Sequence, residues 1–363
     1  MRTAILYKAI FTFILVPAII LGNNTNDLKG KHTKEKVIKK DYSVNADATL
    51  KIDNSYGNID IITWQENRIE IEVTITTKSN NEEKAQNKLD AINVDFEGSS
   101  NLVSAKTRFG KGNSSWWKWG GNNNVTMKIN YVIKLPITNN VNLFNDYGNI
   151  NLDKLEGQAK INCDYGQITT KELMGDNNDI SFDYTNNCYF EFIKSGKINA
   201  DYSSFVVAKT KQLDINADYA NSHVEIGEYI TYNCDYGNIK IDKINTVKGN
   251  GDYLTTVIGD VYKNADLKAD YGSIKIKQLT ANAGNVSIDS DYVGITIGFD
   301  SGYNFNFNLD LQYASLRNEE DLEISKRNIS GRSKTYSGYY GSSNSDNTIT
   351  INSEYGNVSI SKN

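Results

Sequence analysis

Between residues 146 and 291 of this 363-residue chain, nine aspartates stand one position ahead of a tyrosine. Asp146, Asp164, Asp183, Asp201, Asp218, Asp235, Asp252, Asp270 and Asp291 precede Tyr147, Tyr165, Tyr184, Tyr202, Tyr219, Tyr236, Tyr253, Tyr271 and Tyr292. Carboxylates in a regular column could collect Ca²⁺ or another hard cation, and paired carboxylates could cut a glycosidic bond. The competing role is local, because aspartates at turns accept backbone N–H bonds. The spacing lacks the Gly-Gly-x-Gly-x-Asp pattern of calcium β-rolls, so the column is expected to be structural, with no metal and no cofactor. His32 and His223 are isolated in the sequence, which argues against a Ser/His/Asp or His-metal centre. Trp116, Trp117 and Trp119 fall within four residues of a Gly/Asn/Ser loop. An exposed cluster of this kind could stack on sugar rings, and these three are the candidate ligand-binding residues; a loop folded back over a cap is the alternative.

The elements that position these residues follow from the period. From Tyr147 to Tyr271 the tyrosines are 18, 19, 18, 17, 17, 17 and 18 residues apart, and the steps then lengthen to 21, 21 and 42, ending at Tyr355. A fixed period of this size indicates stacked repeats. Short alternating runs follow the corners, as at Ile150-Asn151-Leu152, Ile239-Lys240-Ile241 and Ile274-Lys275-Ile276. The predicted fold is all-β: a parallel β-helix or solenoid of 17–21-residue coils, right-handed as parallel crossovers usually are. The tyrosines are expected to be corner residues, pointing inward or along the turn as an aromatic ladder. The glycine after them would take the positive φ.

Five segments result. Residues 1–22, with Arg2 and Lys8 ahead of an apolar run, read as a signal peptide. Residues 23–40, rich in Asn and Lys, read as a flexible leader. Residues 41–137 read as a strand-rich cap region with one helix from Glu82, capped by Asn80 or Asn81. Residues 138–316 form the repeats, and 317–363 a C-terminal capping segment. Cys163 and Cys234 share a slot four repeats apart, roughly 19 Å at coil spacing, too far for a disulfide; they should be unpaired and buried.

The chain carries 39 basic and 44 acidic residues, net charge −5. That balance argues against a nucleic-acid partner, which needs a concentrated basic face. No second apolar run follows the first, so no membrane span is expected in the mature chain. The chain resembles the putative adhesin family of Bacteroidetes (the DUF4097/DUF2807 type). The residues that carry the resemblance are Tyr56-Gly57-Asn58-Ile59, the strand ending in Leu135-Pro136, the repeated Asp-Tyr-Gly-Asn-Ile coils and Tyr355-Gly356-Asn357-Val358. Together with the signal peptide and the lack of a catalytic constellation, the resemblance leads to the expectation of an exported, non-enzymatic protein of the periplasm, outer-membrane surface or extracellular space, binding glycan or a surface or envelope protein. It supplies no catalytic residues. A carbohydrate-active β-helix enzyme (lyase or hydrolase) and a periplasmic envelope-stress scaffold are the alternatives.

Overall fold

The computed structural model describes residues 28–110 and 125–363; the predicted signal peptide and Trp116, Trp117 and Trp119 lie outside the described residues. Among these, 24 strands join in one sheet and there is one helix, Glu82–Asp90. The helix starts where its sequence signals place it: the Asn81 side chain accepts from the Lys84 N–H, and Ala85 and Leu89 are buried.

The architecture is a solenoid-like stack of rungs, twelve of which hold a tyrosine corner. Successive rungs pair parallel and in register one repeat apart, so each inward position becomes a column. One column reads Ile52, Leu143, Ile161, Ile180, Ile198, Ile215, Tyr232, Gly249, Leu267, Ile288, Ile351 and Leu309. β-Branched and leucine side chains stacked this way remove apolar surface from water on both neighbours at once. The column breaks its own rule once. Tyr232 is buried and its ring occupies the space a Cβ on Gly249 would need, 1.9 Å from its Cζ. A large residue and an absent one fill the volume of two average ones. The Tyr232 hydroxyl meets Thr256 Oγ1 at 3.3 Å.

The ends depart from sequence order. The Tyr56 rung, Thr49–Ser55 and Ile59–Trp64, lies between Leu102–Phe109 with Val125–Pro136 on one side and Asn140–Asp146 with Ile150–Leu152 on the other. The last rung in the chain, Thr348–Glu354 and Val358–Lys362, likewise slots between Val286–Phe299 and the pair Phe305–Gln312 and Leu316–Arg317. Each sequence-terminal rung is therefore held by parallel ladders on both sides. The expectation that 317–363 caps the C-terminal end is corrected: only the antiparallel strands Glu323–Ser330 and Ser333–Tyr340 lie outside. The leader is corrected too. His32–Ser43 is a strand, antiparallel to Arg68–Ser79, which in turn covers Val125–Pro136. Its half-buried side includes Lys34, Lys36 and Lys40, with the Lys34 ammonium on Glu82 and that of Lys40 over the Phe96 ring, so a lysine run hid a β alternation. The outer strands His32–Ser43 and Glu323–Ser330, with Lys39 on one and Lys326 and Arg327 on the other, resist further pairing, and Ile92–Gly98, paired among the described residues only with Leu102–Phe109, carries Asp95 and Glu97.

Gly249→Ala should destabilise the wild-type chain by about 1–3 kcal/mol through overpacking. In a Tyr232→Ile background the same change should be neutral or stabilising, because the ring no longer fills the site. Urea unfolding of the four proteins checks this; equal effects in both backgrounds would contradict the packing described.

Candidate interaction face

The corner is a local problem with an unusual solution. The corner tyrosine, preceded by aspartate in nine copies and by Ser55, Gln312 or Glu354 in the other three, adopts φ between +51° and +64° in all twelve, Tyr56 and Tyr313 included. This left-handed conformation costs an L-residue about 1–2 kcal/mol. It belongs to the tyrosine, not to the glycine as its sequence position suggested. The glycine serves close approach: a Cβ on Gly148, Gly166 or Gly237 would stand 1.9–2.2 Å from a carbonyl oxygen of the preceding rung. Where Thr185 and Ser203 replace it, their hydroxyls bond the carbonyls of Asp183 and Asp201 at 2.8 and 2.7 Å.

Turning through positive φ throws the tyrosine ring outward, which corrects the inward expectation. The rings are 36–53% exposed. They stack in the order Tyr56, Tyr147, Tyr165, Tyr184, Tyr202, Tyr219, Tyr236, Tyr253, Tyr271, Tyr292, Tyr355, Tyr313, with centroids 4.5–5.2 Å apart and planes within 16°. At strand spacing this is a strip roughly 50 Å long. Tyr355 sits ahead of Tyr313 because the last rung is inserted. Phe109 packs edge-on against Tyr56 at 6.0 Å, and the Arg332 guanidinium lies 4.8 Å over Tyr313 and donates to its hydroxyl. Both faces of every ladder ring are thus occupied; edges and hydroxyls remain. Neither Phe109 nor Arg332 carries a sequence signal, since neither belongs to the repeat.

The backbone beneath repeats as faithfully. The N–H of Tyr147, Tyr184, Tyr202, Tyr219, Tyr236 and Tyr253 donates to the aspartate carbonyl of the next rung at 2.8–3.1 Å. The Oδ1 atoms of Asp164, Asp183, Asp201, Asp218 and Asp235 accept the N–H of the following rung's aspartate at 2.9–3.2 Å. Sequence reasoning anticipated backbone bonds to these carboxylates, though within one turn rather than between rungs. Among the described residues none of the nine forms an ion pair; Lys154 pairs with Glu172, and Lys160 and Lys197 with Asp179. Beside the aspartates runs an amide ladder: Asn216 donates to Asn199 at 3.3 Å and Asn250 to Asn233 at 2.8 Å. Toward the C-terminal end the face hollows into an open groove lined by Asp252, Asp270, Asp291, Asp310 and Glu354.

Titration behaviour follows from this crowding. Partial burial, then the charges of Asp164 and Asp53, raises the Asp146 carboxyl; partial burial, then Asp235 and Asp270, raises Asp252. The phenols of Tyr165, Tyr202, Tyr236 and Tyr271 are raised by packing against neighbouring rings, then by the neighbouring phenols and aspartates. On another face, Asp242 is partly buried, which works against ionisation, yet bonds from Lys240 and His223 at 2.8 Å hold its carboxyl below the usual range. His32 begins the first strand, far in sequence from His223 and on a different element. Cys163, Cys188 and Cys234 are free and buried, their thiols pushed up to about 12 by burial. Among the described residues no group of His, Cys, Asp and Glu is arranged to hold a metal ion, and no helix is long and apolar enough to cross a membrane.

No family model and no curated protein matches the chain. Solved structures similar to it include "a putative adhesin" from Bacteroides fragilis, 13% identical with a TM-score of 0.28 over 90% of this chain and 97% of that one. A second "putative adhesin", from Parabacteroides merdae, is 12% identical with a TM-score of 0.30 over 90% and 96%. A "putative lipid binding protein" from Parabacteroides distasonis is 12% identical with a TM-score of 0.29 over the same shares. At these identities and TM-scores the likeness carries no argument for what this chain does.

Two outcomes follow. Tyr219→Gly should be more stable than Tyr219→Ala by about 1 kcal/mol, because glycine adopts the left-handed corner freely; thermal unfolding of both checks it, and the reverse order would contradict the corner geometry. A raised carboxyl pKa means that the folded state loses stability as pH rises through that pKa. Asp252→Asn should therefore stabilise the protein at neutral pH, by about 0.5 kcal/mol or less after solvent screening. The gain should vanish below the ordinary aspartate range, and paired unfolding curves at neutral and acid pH test the sign.

Proposed function

We propose that this chain is an exported, non-enzymatic, adhesin-like protein of the cell envelope. Its rungs form a right-handed β-solenoid that presents the tyrosine and aspartate face to a linear glycan or to a surface or envelope partner. The observation that carries the reading is the ladder itself. Twelve half-exposed aromatic rings in one uninterrupted row form a recognition surface that an internal scaffold has no use for. The acidic residues are spread evenly along the row instead of being paired in a walled cleft, which favours binding over hydrolysis. Trp116, Trp117 and Trp119 are a second contact in this reading; Phe109, seven residues before Trp116 in the sequence, packs on the Tyr56 end of the ladder.

The test is retention of the purified protein on a panel of immobilised polysaccharides and on intact cells. Wild type should be retained, and Tyr202→Ser/Tyr219→Ser/Tyr236→Ser should lose retention by about tenfold. Release of reducing or unsaturated sugar, abolished by a single Asp→Asn change in the row, would overturn the non-enzymatic reading. Retention unchanged in the tyrosine variant and lost on changing Trp116, Trp117 and Trp119 would move the site to the loop.

A further inference from the structure

We infer that the polymer recognised by this face is an amino-sugar glycan bearing free, protonated amines, laid along the rung axis. The inference rests on the glycan reading above and narrows it to one chemical class. Three features of the face select the occupant.

The first is steric. Each ladder ring has both faces against its neighbours, and the end rings are covered by Phe109 and Arg332. A pyranose therefore has no free ring face to stack on, and the face recognises its ligand through ring edges and phenol hydroxyls. The contacts it offers are hydrogen bonds in a row, which suits a hydroxyl-rich chain and not an apolar one.

The second is charge. The carboxylates beside the ladder form no ion pair with any described residue. In the central rungs Oδ1 is engaged by the backbone N–H of the next rung, which fixes the carboxylate's position and leaves Oδ2 for an outside donor. Segment 138–316 holds 14 lysines and 24 acidic residues, whereas the whole chain is only −5, so the excess negative charge lies in the repeats that carry the ladder. An anionic glycan is repelled along the entire row. A neutral N-acetylated one leaves the carboxylates without partners and presses acetyl groups against them. Ammonium groups form charge-assisted bonds with Oδ2.

The third is period. A linear polymer with one amine per sugar has a repeat comparable to the ladder steps of 4.8–5.1 Å. Whether each residue or every second one turns its amine inward, successive amines meet successive or alternate carboxylates, and the hydroxyls between them meet the phenols. Many weak, commensurate contacts on one rigid row add by effective concentration.

The experiment is titration calorimetry of the full exported chain with three probes: a β-1,4-glucosamine octamer, its fully N-acetylated counterpart and a lysine octapeptide. The glucosamine octamer should bind about tenfold or more tighter than either of the others. Its affinity should fall steeply between about 0.1 M and about 1 M salt, as the Debye length drops from about 10 Å to about 3 Å. Asp201→Asn/Asp218→Asn/Asp235→Asn keeps an acceptor oxygen for each inter-rung bond and should weaken binding by about tenfold, with the near-ultraviolet circular dichroism of the ladder unchanged. If that triple variant loses the dichroism, single Asp218→Asn replaces it, with the same direction expected. Equal or tighter binding of the N-acetylated octamer overturns the inference while leaving the glycan reading intact. Equal binding of the lysine peptide overturns it in favour of unspecific charge. Binding of none of the three, together with no retention on any polysaccharide, sinks both readings.

Discussion

Everything in this protein depends on a tyrosine held in a conformation it disfavours. The left-handed corner costs about 1–2 kcal/mol per copy, and it recurs twelve times. What offsets it is cumulative. Each ring gains about 0.5–1.5 kcal/mol from an aromatic neighbour, and the tyrosine N–H in most rungs is satisfied by the aspartate carbonyl next door. Neither gain exists for a single corner in isolation. The corner is stable only because there is another above and below it, which is the nearest-neighbour logic of repeat proteins carried down to one dihedral angle.

The same logic makes the ends dangerous, since an outermost rung has a partner on one side only. Two rungs, those of Tyr56 and Tyr355, are threaded one place inward, so that each is paired on both sides. The positions left outermost are closed with antiparallel strands carrying charged side chains. The ladder is closed by the same principle, with Phe109 at one end and Arg332 at the other.

Much of this was legible in the sequence: the period indicated stacked parallel rungs with a tyrosine at each corner and placed Cys163 and Cys234 too far apart to pair, and a cap at Asn80 or Asn81 marked the helix from Glu82. Three things were not. Alternation along Cys163-Asp164-Tyr165 pointed the tyrosine inward, because alternation assumes extended backbone and the residue in question leaves it. The lysines of 29–40 resembled a solvated leader, since charge says nothing about where an aliphatic stem lies. The insertion of Tyr355 between Tyr292 and Tyr313 was also hidden: a sequence reports order along the chain, and the long final step of 42 residues was the only trace. For the candidate face the repeat was visible, but its orientation, and hence its availability to a partner, came only with the fold.

The face is thus a by-product of the device that builds the fold, and its outward display is the claim on which the functional reading stands. Residue-resolved nitration of the native protein with tetranitromethane, read by mass spectrometry, tests that display most directly. The ladder tyrosines from Tyr147 to Tyr292 should be modified, while Tyr131, Tyr232 and Tyr303, buried in the core, stay protected until the protein is unfolded. Protection of the ladder together with the core, in the folded protein alone, would mean that the rings face inward and that the interaction surface described above does not exist.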